Sequence, residues 1–159
     1  MSKWSDPDVW AKLCGGENCV ICRRGQPKDV VATLEASWLT INEDAPLRGY
    51  ACLVFRRHAV ELHDLTETEG AAYMRDIQQV SRFVQSVTGA VKINLEIHGN
   101  SLPHLHTHFY PRHPGDLFDG SPMDWNAVKG QVYTDGEFAL YVQRVSEMLA
   151  ETTEQAATA

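Results

Sequence analysis

His104-Leu105-His106-Thr107-His108-Phe109-Tyr110, led in by Gly99-Asn100-Ser101-Leu102-Pro103 and closed by Pro111-Arg112, sets three of the chain's seven histidines at alternate positions. Successive side chains of a β-strand point to opposite faces, so His104, His106 and His108 are expected on one face and Leu105, Thr107 and Phe109 on the other. A helix would scatter the imidazoles around its cylinder, and the β-branched and aromatic neighbours favour a strand. Three neighbouring imidazoles offer either metal ligands or a nucleophile with acid–base helpers.

Working outward, residues 91–97 read as the preceding strand, turning at His98-Gly99-Asn100. Before it, Thr66-Glu67-Thr68-Glu69 is a capping-box pattern, followed by Tyr73, Ile77, Val80, Val84 and Val87 on one helical face and Gly89 as a stop. A helix of that length, about 22 residues at ~1.5 Å each, crosses a whole sheet. Residues 29–35 and 37–42 read as a strand hairpin, and 50–55 as an inner strand. Near the amino terminus, Ser5 as cap, Pro7 at an early position and Val9, Trp10 and Leu13 as apolar patch predict a short helix ended by Gly15-Gly16. Arg23 to Lys28 reads as an exposed loop. A last helix is expected over 136–150, with Phe138, Tyr141, Val142, Val145 and Leu149 on one side, and a frayed tail over 151–159.

The 159 residues suit a single domain able to bury a core without disulfides, and 43% hydrophobic with 22% charged residues is a globular composition. No apolar run approaches the ~18 residues of a membrane span. The amino terminus has no secretory apolar stretch, which makes the cytoplasm the expected location. A net charge of −7 argues against nucleic acid as the main partner, though a small anion in a local pocket is compatible with it. Of the cysteines at 14, 19, 22 and 52, the Cys19-Val20-Ile21-Cys22 pair reads as a metal knuckle or a redox pair.

The 104–110 stretch resembles the H-φ-H-φ-H-φ-φ signature of the histidine triad (HIT) superfamily of nucleotide hydrolases and transferases. Ile41-Asn42, the turn ending at Gly49, the strand to Phe55, Arg57-His58, the long helix and Gly99-Asn100-Ser101 follow in that family's order, so the resemblance covers roughly residues 19–112. Thr107 stands where the family has an aliphatic residue, on the face away from the histidines.

The resemblance implies an α+β HIT-like fold over 1–159: an antiparallel sheet of about five strands with one long helix packed on it. Residues 113–150 form a carboxy-terminal extension ending in the last helix. It further implies a homodimer with neither membrane nor organic cofactor. The implied activity is hydrolysis at the α-phosphate of a dinucleoside polyphosphate, nucleoside phosphoramidate, adenylated small molecule or related purine nucleoside phosphoryl compound. His106 is the implied nucleophile, through a nucleotidyl–histidine intermediate, and His108 would steady developing charge. Asn42, Asn94, Asn100 and Ser101 are the implied substrate contacts, with His108 touching substrate as well. In zinc-bearing, prokaryotic-type members the first triad histidine ligates metal, which gathers Cys19, Cys22, His58 and His104 into a Cys₂His₂ structural zinc set. Cys14 in place of one cysteine, or plain reduced thiols, are the alternatives there. Two other functional readings stand beside this one: a catalytic metal site made by the three histidines, and a nucleotide-binding module with little chemistry. His63, His98 and His113 read as ordinary surface histidines, and Trp38 and Leu34 as core.

Overall fold

The computed structural model describes residues 3–124, 127–128 and 132–157. Among these residues, five strands and four α-helices follow as α1 Pro7–Cys14, α2 Val20–Arg24, β1 Val30–Thr33, β2 Ser37–Thr40, β3 Ala51–Phe55, α3 Glu67–Thr88, β4 Lys92–Glu96, β5 His106–Arg112 and α4 Glu137–Ala157. The sheet order is β1-β2-β3-β5-β4, and every neighbouring pair is antiparallel. No helix among the described residues is long and apolar enough to cross a membrane.

Alternation along β5 divides the sheet into two faces. Thr107 and Phe109 point with Leu39, Ala51 and Leu53 into a core roofed by Tyr73, Ile77, Val80 and Val84 of α3. Tyr141, Val145 and Leu149 of α4 extend that core. Thr66 and Glu69 make the expected reciprocal cap, at 3.2 and 2.9 Å, and Gly89 ends α3 at φ +68°, where a Cβ would be strained. On the opposite face, Cys19, Tyr50, Cys52, Val54, Tyr110, Phe118 and Met123 form a second buried cluster, with Trp38 packed against it.

Four local expectations change. Asp6 rather than Ser5 caps α1, its carboxylate accepting from the N–H groups of Asp8 and Val9 at 3.1 Å each; a carboxylate also suits the positive end of the helix dipole. The stretch from Val20 to Arg24 is a helical turn rather than open loop, closed by Gly25 at φ +88°. The helix α4 runs past Ala150 to Ala157, consistent with a stretch rich in Glu, Gln and Ala that contains neither Gly nor Pro. Finally, β5 begins at His106, so His104 lies just before the strand rather than on it.

Candidate active site and metal centre

His104 leaves the triad face because its surroundings draw the ring elsewhere. Main-chain bonds on either side fix its backbone: Leu105 N–H donates to Ala59 O at 2.7 Å, and Phe55 N–H donates to Leu105 O at 3.0 Å. The ring, 1% exposed, donates from Nε2 to the Phe55 carbonyl at 2.7 Å, which leaves the Nδ1 lone pair facing Cys19 Sγ at 3.4 Å. His58 repeats the arrangement, donating from Nε2 to Cys14 O at 2.7 Å while Nδ1 stands 3.3 Å from Cys22 Sγ and 3.3 Å from His104 Nδ1. Arg57 steadies that loop through a bidentate pair with Glu69 at 2.7 and 2.9 Å and a bond to His58 O at 3.0 Å.

The four donor atoms lie within 4.8 Å of one another, and no other such group of three or more occurs among the described residues. A tetrahedral zinc with Zn–S near 2.3 Å and Zn–N near 2.0–2.1 Å has donor separations of about 3.3–3.8 Å. Two imidazole lone pairs 3.3 Å apart repel unless a cation lies between them. The donor set therefore fits a structural zinc. The sulfur of Cys14 is not in this group; its carbonyl is the part that takes part, as acceptor from His58.

His106 and His108 stand side by side on β5, ring centroids 4.8 Å apart. His106 Nδ1 donates to the His104 carbonyl at 2.6 Å, and since a carbonyl only accepts, Nε2 carries the lone pair. Burial lowers the His106 pKa against the opposing pull of that carbonyl. Burial, then the neighbouring rings of His106 and His98, push His108 down to about 3. Its Nδ1 lies 2.7 Å from the Tyr50 hydroxyl, whose own pKa burial drives far upward, so the phenol keeps its proton. A phenol donating to Nδ1 leaves the His108 proton on Nε2.

These two rings open into a cavity of about 360 Å³ whose remaining wall is His98, Gly99, Asn100, Ser101 and Leu102. The wall is strapped from outside: Trp4 Nε1–H donates to Asn100 O and Lys3 Nζ to Ser101 O, both at 2.7 Å. The cavity thus gathers Asn100, Ser101, His106 and His108. It does not include Asn42 or Asn94. Asn42 uses its side-chain oxygen on the Asp44 N–H at 2.8 Å and lines a separate cavity of about 280 Å³ with Thr40, Tyr50 and Cys52. Asn94 pairs across from Tyr110 and lines a third, of about 500 Å³, with Lys92 and Arg112. The register relates the three places: Thr40, Cys52, His108 and Glu96 form one cross-strand row, so they share a face. Tyr50, bonded to His108, stands between the first two cavities. Arg112 is committed elsewhere, to Asp116 at 2.7 and 2.8 Å and to the carbonyls of Ser121 and Phe118.

Sequence reasoning passed over Tyr50, His98 and Glu96. For Tyr50 and Glu96 a signal existed, since each belongs to the same alternation as the triad once strand pairing is known. His98 lies at the surface, as expected, and also forms part of the cavity wall and donates from Nε2 to Glu96 at 2.8 Å. The three triad rings do not converge on one point. His104 turns to the cysteines, and His106 and His108 each commit Nδ1 to a different protein oxygen.

A HIT domain model matches residues 23–115. The bis(5'-adenosyl)-triphosphatase of Saccharomyces cerevisiae is 31% identical over 114 residues, 60% of this chain and 55% of that protein. The chain therefore spans about half the length of the curated relatives it matches. A histidine triad protein from Bradyrhizobium japonicum superposes with TM-score 0.66 at 30% identity, covering 75% of this chain and 88% of the other. A zinc-bound histidine triad family protein from Mycobacterium smegmatis, 19% identical, shares the fold with TM-score 0.63 over 89% and 99% of the two chains.

Proposed function

This chain belongs to the HIT domain family, and from that premise we propose that it is a nucleotide hydrolase transferring a nucleotidyl group to water through His106. The observation that carries the reading is the His106 tautomer: Nδ1 donates to the His104 carbonyl, and the Nε2 lone pair faces a cavity that also holds His108 and the Ser101 loop. Lowered by burial, the ring keeps that lone pair available near neutral pH.

His106 Nε2 forms a bond to the α-phosphorus as the bond to the leaving group breaks. Positive charge on the nucleotidylated ring is shared through Nδ1–H with the carbonyl. His108, neutral and with its proton on Nε2, donates to a non-bridging oxygen as charge grows there. Main-chain N–H groups around Asn100 and Ser101 hold the phosphate, and Asn42 and Asn94, in flanking cavities on the same face, serve the ribose and the more distant phosphates. Water then breaks the phosphorus–nitrogen bond and releases the nucleoside monophosphate. A purine dinucleoside polyphosphate, the class named in the yeast relative, is the first substrate to test.

Zinc held by Cys19, Cys22, His58 and His104 would cross-link the amino-terminal segment to the residue whose carbonyl orients His106, a structural contribution. Residues 1–159 act as one domain. A homodimer is supported by β4, an edge strand with exposed Leu95 within it and exposed Val91 and Ile97 at its ends. No nucleic acid, membrane or organic cofactor enters this reading, and the place of work is the cytoplasm.

The test is a panel of dinucleoside polyphosphates, nucleoside phosphoramidates and adenylated small molecules, read by monophosphate release. Wild type should turn over at least one class. H106A should lose about 10⁴-fold, some 5.5 kcal/mol of transition-state stabilisation, while still binding AMP. Turnover by H106A at the wild-type rate would end the proposal.

A further inference from the structure

Three imidazoles reach the cavity, and only two have roles so far. His98 differs from His106 and His108 in its partner, which is a carboxylate rather than a carbonyl or a phenol. Glu96 sits directly across from His108 in the β4–β5 register and accepts the His98 Nε2–H at 2.8 Å. The Glu96 side chain is 19% exposed and that of His98 46%, so the carboxylate is partly shielded while the ring stays open to solvent and to the cavity. The His98 ring lies 5.8 Å from that of His108, tilted by 47°, and forms part of the same cavity wall as His106 and Ser101. Among the described residues, His98 Nδ1 makes no hydrogen bond. A histidine anchored at one nitrogen by an acid and open at the other is the arrangement of a general acid–base group. The other two rings are unsuited to the task, because His106 is the nucleophile and His108 stays neutral far below neutral pH.

We infer that His98, oriented by Glu96, is the general acid that protonates the leaving group. The inference rests on the nucleophilic role proposed for His106. In the first step His106 Nε2 bonds to phosphorus and the bond from phosphorus to the leaving nitrogen breaks. The freed electron pair takes the proton from His98 Nδ1, and a neutral amine departs. In the second step water attacks phosphorus, the bond to His106 breaks with its electron pair returning to Nε2, and a proton of that water restores His98. A departing phosphate of a dinucleoside polyphosphate is stable as an anion and gains little from this acid; an amine cannot leave without it.

Two adenylyl donors separate the cases. Adenosine 5′-(p-nitrophenyl phosphate) expels an anion that needs no proton, whereas the adenosine 5′-phosphoramidate of an alkylamine needs one. Comparing kcat/KM isolates the first step, because release of the leaving group precedes hydrolysis of the common intermediate. In H98N the ratio of amine to nitrophenyl kcat/KM should fall by about 10²-fold or more relative to wild type. E96A should reproduce much of that shift, and E96Q, which keeps an acceptor oxygen for Nε2–H, should reproduce less. An unchanged ratio, whether both substrates lose equally or neither loses, overturns the proton role. Absence of wild-type turnover on both donors, or undiminished turnover by H106A, overturns instead the nucleophile reading, and this inference with it.

Discussion

Thr107, which stands at a position of the motif with an aliphatic residue in the family, pairs its hydroxyl with the Tyr73 hydroxyl of α3 at 2.7 Å inside the core. Each group is buried, so removing one strands the other. Y73F and T107V should each destabilise, while the double variant should cost less than the sum of the two, with a coupling of about 1 kcal/mol by urea denaturation; strict additivity would show that the bond contributes nothing. His108 makes a second prediction at this scale. Folding holds its pKa at about 3, against the ordinary value near 6.5. As pH falls below about 6.5 the unfolded chain binds this proton and the folded chain does not. The associated stability is therefore whole above 6.5 and lost progressively toward 3. Wild type should lose stability more steeply than H108Q across that window, and parallel profiles would contradict the assignment. That three histidines alternate was legible from spacing alone, and the family resemblance supplied the roles expected of them. The outward turn of His104, and the roles open to Tyr50, His98 and Glu96, were not, because they depend on which strands lie beside β5.

Elements as short as α2 depend on what they hold. Val20–Arg24 is too short to be a stable helix by itself, and Cys19 and Cys22 tie it to His58 and His104. Purified protein should carry about one zinc per chain. C19S should abolish that zinc and lower the melting temperature, whereas metal-stripped protein that remains folded should still turn over. Loss of turnover with folding intact, restored by metal, would point to a catalytic ion. At the other end of the sheet, Asp76 is 2% exposed in the middle of the apolar stripe of α3. It accepts from the N–H groups of Glu35 and Ala36 and from the Ser37 hydroxyl at 3.2, 2.9 and 2.8 Å, and so pins the β1–β2 turn to the helix. D76A, which leaves three donors without a partner, should cost about 3 kcal/mol in denaturant titrations; a loss under about 0.5 kcal/mol would show the turn held by other means. Periodicity located α3 and its caps, since both are local. It was silent on Asp76, whose partners lie some forty residues away in the chain.

Taken whole, the described residues form one sheet with a helical core on one face and His106 and His108 on the other. The edge strand β4 carries both Asn94 and Glu96, and so links the outer boundary of the molecule to the site. Val91, Leu95 and Ile97 beside that edge are 65%, 46% and 39% exposed, an apolar row that a second copy would cover. Sedimentation should show a dimer for wild type and a monomer for the V91K/L95K variant; a wild-type monomer at micromolar concentration would remove the dimer from the account. The strand count and the long helix could be read from the sequence, and the family resemblance supplied their order. The separation of Asn42 and Asn94 from the histidine cavity could not, because it arises where Tyr50 and the β4 edge meet the sheet face. The most direct measurement is to quench turnover of an adenylyl donor within milliseconds and map the protein by mass spectrometry. An acid-labile adenylyl adduct should appear on His106 and be absent from H106A. Full turnover with no adduct on that residue, or an adduct on another side chain, would contradict the account.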